Sequence, residues 1–488
     1  MGGADEVVST SGGPVQGRED GPVVRFSGIP YAAAPTGDLR FAPPSQPAPW
    51  SGVRDATRPG PVCPQATATL LPGQVPAEDC LSVNVTAPAV ASPGLRPVLV
   101  WLHGGGFVFG SGSDYDASSL ASRGDLVVVT VNYRLGIFGG LSLPEMPEHN
   151  VGLQDQIAAL RWVRDNATAF GADPDNVTLA GESAGALSTC SLLASPATDG
   201  LFARAIIASG SCRMRHPAGA LSPTLPAVST WNSVEATDAY SRSVAASVGC
   251  TDPATVLGCL RAQPVDDLVA LGPAFTTLAV GGAVLPRDPG EKPRADWATE
   301  VPVLSGNTSD EHLGNVLSAY PAATAQTYRS ALSRSFGPDV DQVARRYPLD
   351  QFPDPVRALA RVYSDNDWIC PTVSTNRDYA RTAPVWTYLF SDPEAPTPTG
   401  ETVPRPAAVH GSDVVYTLPL AGQPSPLAPG QQHLADQMID YWAAFARTGD
   451  PNGPGRPSWP ATTPGFVPAL ELTPEPGPRP IDASTRCS

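Results

Sequence analysis

The sequence predicts an α/β fold in which a large, mostly parallel central sheet carries helices on both faces, with loop insertions over the functional site. Three observations lead there. Apolar runs of strand length recur along the chain, segments with helical spacing separate them, and one strand runs through a glycine-flanked turn straight into an apolar helical run.

Taken in order, residues 98–102 (VLVWL) and 125–131 (DLVVVTV) are nearly unbroken apolar runs, the pattern of strands covered on both faces. Residues 153–170 follow as a helix, with Ile157, Leu160, Val163, Ala167 and Phe170 at helical spacing and Gly171 as the stop. Residues 177–181 read as the next strand and 186–193 as the helix behind it. Further strands are expected at 205–208, 301–304 and 385–390, each running into a polar or glycine-bearing loop. Leu434, Met438, Trp442 and Phe445 mark one face of an amphipathic helix closed by Thr448-Gly449-Asp450-Pro451. The chain beyond is expected to be a proline-rich wrap, and 214–237 and 391–406 to be insertions over the scaffold. Without an internal repeat or a linker-like break in composition, one domain spanning 1–488 is the simplest organisation.

Composition narrows the function classes. Apolar residues make up 42% of the chain and charged residues 16%, a balance that folds, so the 56 prolines and 46 glycines punctuate loops rather than signal disorder. The net charge of -16, with Lys292 as the only lysine, disfavours binding to nucleic acid or to an anionic membrane surface. No apolar run approaches the roughly 20 residues that cross a bilayer, and the opening Met1-Gly2-Gly3-Ala4-Asp5 has no features of a leader. Of the eight cysteines, Cys63 and Cys80, and Cys250 and Cys259, lie close together in loops without the spacing of a zinc or redox motif. Disulfides in an exported protein whose leader has been removed are the favoured reading, and free thiols in the cytosol the alternative. Cys190, on the helix 186–193, is expected to be buried and reduced.

The chemistry starts at Gly181-Glu182-Ser183-Ala184-Gly185. A serine on so tight a strand-to-helix turn is exposed at the start of a helix, and glycines flank it because a Cβ there would strike neighbouring backbone. His103-Gly104-Gly105-Gly106-Phe107 follows the strand 98–102, and its consecutive glycines let N–H groups converge on a developing oxyanion. The Lys-Ser/Thr pair of a phosphate-binding loop does not follow.

With Glu78-Asp79-Cys80-Leu81 before these motifs and Asn132-Tyr133-Arg134-Leu135-Gly136 between them, the chain resembles the type-B carboxylesterase/cholinesterase family of the α/β-hydrolase superfamily. The resemblance runs from Phe26-Ser27-Gly28-Ile29-Pro30-Tyr31 to Phe445-Ala446-Arg447-Thr448-Gly449-Asp450-Pro451. It implies a serine carboxylesterase with Ser183 as nucleophile and N–H donors at Gly105, Gly106 and Ala184. Glu311 stands where the family carries its acid, with Asp310 as the local competitor, and His410 stands in the catalytic-histidine loop. His103 reads as a residue that positions the glycine loop, while His149, His216, His312 and His433 have no matching context. Glu182, Ser209 and Asp413 match positions that support the triad, with ordinary capping or loop roles as the alternative. Cys63/Cys80 and Cys250/Cys259 match family disulfides.

The resemblance implies hydrolysis of small hydrophobic or aryl esters through an acyl-enzyme, without metal or organic cofactor, while the charge argues against nucleic-acid and membrane partners and leaves the oligomeric state open. The alternatives are acyl transfer, amide or carbamate cleavage by the same triad, and, more remotely, a silent binding protein. Two departures limit the likeness. The segment between Cys63 and Cys80 has no aromatic residue to hold a quaternary ammonium, which argues against a choline ester. Residues 276–282 (TTLAVGG) replace the family's usual sequence ahead of Leu285-Pro286, so the pocket wall there is expected to differ.

Overall fold

The computed structural model describes every residue except 1–4, 292–299, 399–402, 405, 423–426, 476 and 488. Lys292 and part of the 391–406 insertion therefore lie outside the described residues. A 13-stranded sheet runs through the molecule. Asp5–Thr10, Gly13–Asp20, Val23–Pro30 and Ser82–Pro88 form an antiparallel limb that joins Val127–Val131, also antiparallel. From there Arg96–Leu102, Ala172–Glu182, Arg204–Ala208, Val303–Thr308, Val385–Phe390 and Pro468–Leu472 lie parallel in that order, and Arg479–Asp482 closes the edge antiparallel.

The parallel centre is largely buried because successive side chains leave a strand on opposite faces and both faces are covered. Along Arg96–Leu102, Val98, Val100 and Leu102 join Leu153, Ile157, Leu160 and Leu187 in one core. Those partners come from the helices Val151–Asn166 and Ala184–Leu193. Leu99 and Trp101 point the other way, into a second core with Leu120, Leu434, Met438, Trp442 and Phe445. Its helices are Ser118–Gly124 and Pro429–Thr448, the latter carrying the amphipathic face read from the sequence.

The proline-rich tail is more ordered than its composition suggests, for it supplies the last two strands. Pro468 opens its strand and Pro480 lies on the edge strand, positions where a missing N–H is tolerated. The antiparallel limb was also not anticipated beyond the motif around Phe26, because its strands are only partly buried and mix polar with apolar residues.

Four disulfides cross-link the chain. Cys63–Cys80 and Cys250–Cys259 pair as expected from their proximity, and Cys370–Cys487 adds a long-range tie. Cys190 is not reduced: it bonds to Cys212. The two strands Ala172–Glu182 and Arg204–Ala208 are parallel neighbours, so the helix after the first and the loop after the second leave the sheet side by side. Among the described residues no cysteine is free. Likewise, no described helix is long and apolar enough to cross a membrane.

Candidate active site

The chain reverses its direction of travel across the sheet at Arg96–Leu102, whose neighbours are Val127–Val131 on one side and Ala172–Glu182 on the other. In open α/β sheets the carboxyl ends of the strands at such a point frame a crevice. Leu102 pairs in register with Gly181, so the loop beginning at His103 and the turn at Glu182-Ser183 emerge together. Ser183 sits at φ 54°, ψ -120°, a conformation a non-glycine residue holds only under constraint. The constraint is visible: a Cβ on Gly181 would collide with the Gly185 carbonyl, and one on Gly185 with the Leu102 carbonyl. A Cβ on Gly104 would stand 3.1 Å from the Ser183 Cβ, which places the glycine loop against the serine. Among the described residues nothing accepts a hydrogen bond from the N–H groups of Gly105, Gly106 or Ala184. Ala184 is the first residue of a ten-residue helix, so the positive end of its dipole points at the same place.

Across the crevice, Glu311 follows the strand Val303–Thr308 and is 2% exposed. Its Oε1 accepts from the Thr308 N–H at 2.9 Å and from Asn307 Nδ2 at 3.1 Å, and its Oε2 lies 2.6 Å from His410 Nδ1. Asp310 does something else. Its N–H donates to the Ala408 carbonyl at 3.0 Å and its carboxylate accepts from the Ala408 N–H at 3.1 Å, clipping the histidine loop to the strand end. His410 Nε2 faces Glu182, 3.3 Å from Oε1, and is not hydrogen-bonded to Ser183. Trp368, for which the sequence offered no motif, packs its ring 4.6 Å from the imidazole.

Three buried carboxylates surround this histidine. Burial alone would depress the imidazole, but Glu182 and Glu311 outweigh it and hold it up at about 9. Burial together with Asp413 and Glu311 raises Glu182 to about 7 even though His410 works against it. Asp413, which accepts from the Tyr388 hydroxyl at 2.8 Å, is raised to about 6 by burial and by Glu311. Glu311 goes the other way: burial opposes its charge, but His410, the adjacent Ser209 hydroxyl and the Thr308 N–H keep it below the usual range. Ser209 is fully buried at φ 50°, and its N–H donates to the Gly306 carbonyl at 2.8 Å. His103 stands apart. Buried and held down at about 4, it stacks 4.3 Å from Tyr133, with Nδ1 2.8 Å from the Gly104 carbonyl, and so braces the glycine loop.

The crevice thus brings together a strained, partly exposed hydroxyl, unused N–H donors and a histidine oriented by a buried carboxylate. Such a set can split an acyl transfer into two steps, provided the imidazole swings from Glu182 to Ser183; catalytic hydrogen bonds commonly tighten only when substrate binds.

A family model described as the carboxylesterase family matches residues 4–486. The para-nitrobenzyl esterase of Bacillus subtilis (strain 168) is 35% identical over 93% of this chain and 92% of its own. The cocaine esterase of Homo sapiens is 34% identical over 90% of this chain and 81% of its own. A solved structure of PNB esterase superposes with a TM-score of 0.78 at 31% identity, covering 98% of each chain.

Proposed function

The chain belongs to the carboxylesterase family and is a carboxylic ester hydrolase, and from that premise we propose that Ser183, His410 and Glu311 carry the reaction through an acyl-enzyme. The observation behind this reading is the 2.6 Å contact between His410 Nδ1 and Glu311 Oε2 in the crevice that holds the strained Ser183 turn. His410 takes the Ser183 proton as Oγ attacks the ester carbonyl. The oxyanion is met by the N–H groups of Gly105, Gly106 and Ala184, and the alcohol leaves with the proton from His410. Water, deprotonated by the same imidazole, then attacks the acyl-enzyme, the acid leaves and Ser183 regains its proton. Glu311 orients the ring and stabilises the imidazolium, while Glu182, Ser209 and Asp413 support its charge. The triad uses no cofactor.

The substrate class is a small hydrophobic or aryl ester. The name of the para-nitrobenzyl esterase supports it, and the loop closed by Cys63–Cys80, which has no aromatic residue, argues against a choline ester. The motifs draw on one continuous sheet, which supports a single catalytic unit, and four disulfides support export to an oxidising compartment. Hydrolysis of p-nitrophenyl acetate and butyrate tests the triad. Ser183→Ala is expected to lower kcat on the order of 10⁶-fold; turnover that survives the substitution would place the nucleophile elsewhere.

A further inference from the structure

His216 and His312 carry no motif in the sequence, yet the fold brings them to one carboxylate. His216 comes from the strand Arg215–His216 in the 214–237 insertion, and His312 directly follows Glu311. Asp367 comes from a π-helical segment, Ser364–Ile369, a widening of the helix that often marks a functional position. Asp367 Oδ2 lies 2.8 Å from His312 Nε2 and 3.0 Å from His216 Nδ1, and the three atoms all fall within 4.8 Å of one another.

From these residues we propose a binding site for a divalent transition-metal ion of the zinc class, separate from the ester-cleaving triad. Two imidazole nitrogens and one carboxylate oxygen are a donor set that Zn²⁺ takes with a fourth position open to water. The two rings meet at 90°, with centroids 5.4 Å apart, so each aims a nitrogen at the carboxylate rather than stacking on the other. The separations suit an ion after small adjustments: bonds of about 2.0–2.2 Å in tetrahedral geometry set donor atoms roughly 3.3 Å apart.

Charge favours the same occupant. Asp367 is fully buried, and among the described residues its ion-pair partners are these two histidines, with no arginine supplying a fixed positive charge. A buried carboxylate needs such a charge, and a divalent cation provides it. Outer support is in place, since Asn366 Nδ2 donates to Asp367 Oδ1 at 2.8 Å and fixes the carboxylate plane. Access comes from the His216 side, whose side chain is 12% exposed while those of His312 and Asp367 are sealed. A simple hydrogen-bonded strut would need only one of the two imidazoles. The ion would also sit one residue from Glu311 and against Trp368, which lies 6.0 Å from His216 and 6.1 Å from His312 and packs on His410.

The full chain, stripped with EDTA and dialysed, is titrated with ZnCl₂ by calorimetry and with CoCl₂ by visible absorption. Saturable uptake of one ion per chain and the intense d–d bands of four-coordinate Co²⁺ are expected. His216→Ala, at the exposed edge, removes a ligand outright and should weaken Zn²⁺ by more than the roughly 10–100-fold that losing an outer-shell partner costs, with an unchanged far-UV circular dichroism spectrum. His216→Gln, which can keep a hydrogen bond to Asp367, should weaken it comparably. Failure of the wild-type chain to bind Zn²⁺ saturably, or equal affinity in wild type and either folded variant, overturns the site. Because the readout is metal uptake, this result is independent of whether Ser183→Ala abolishes ester turnover.

Discussion

The two sides of the crevice are held in different ways. Ser183 is placed by backbone crowding, with Gly181 against Gly185 and Gly185 against Leu102, whereas His410 is placed by charge, between Glu311 at Nδ1 and Glu182 at Nε2. A position fixed by sterics fails abruptly when volume is added. A position fixed by charge shifts gradually as carboxylates are removed, and it depends on pH.

The largest effect should come from the crowded side. Gly185→Ala adds a Cβ onto the Leu102 carbonyl, which is backbone and cannot swing away. Ester turnover should fall to background and the chain should lose roughly 3 kcal/mol of stability, read by a p-nitrophenyl ester assay and urea unfolding; near wild-type activity would show that the turn can open. On the other side, Glu311→Gln leaves an amide that still accepts from the Thr308 N–H but no longer stabilises an imidazolium. A drop in kcat of about 10³–10⁴-fold is expected, and a loss below tenfold would transfer the orienting role to another carboxylate.

Glu182→Gln should act more mildly and through pH. With His410 held up at about 9, its basic form accumulates only as pH rises, so kcat/KM should climb through an alkaline limb. Removing the Glu182 charge lowers the imidazole pKa and should move that limb toward acid, raising activity relative to its plateau at neutral pH. A limb that stays in place would mean that Glu182 does not set it. The stability contribution has a matching sign. An imidazole raised from its ordinary 6.5 contributes fully below that value, and the contribution disappears as pH passes about 9. Asp413→Asn should give the smallest change, a weaker shift in the same direction, because Asp413 contributes less than Glu182 or Glu311 to the charge around the ring.

The same contrast explains what was legible in the sequence. The strands Arg96–Leu102 and Val127–Val131 were legible because strands covered on both faces are written in nearly unbroken aliphatics, and the elbow because its sterics demand glycines at fixed positions. Glu311 and His410 were found through likeness to a family, for nothing in the spacing of two residues 99 positions apart predicts a hydrogen bond. Trp368 and the His216, His312 and Asp367 cluster were not legible at all, since they arrive from three separate segments, Asp367 and Trp368 sharing one, that meet only in three dimensions. Cys190 was misread for a related reason: its partner Cys212 lies 22 positions away, across a strand crossover that sequence proximity does not reveal.

The bond between Cys370 and Cys487 spans 117 positions and encloses His410. A protease that cuts once between those two cysteines therefore yields no separate fragment until the protein is reduced. The segment that carries His410 stays tethered to the segment that carries Ser183, so a nicked molecule keeps both in one covalent particle.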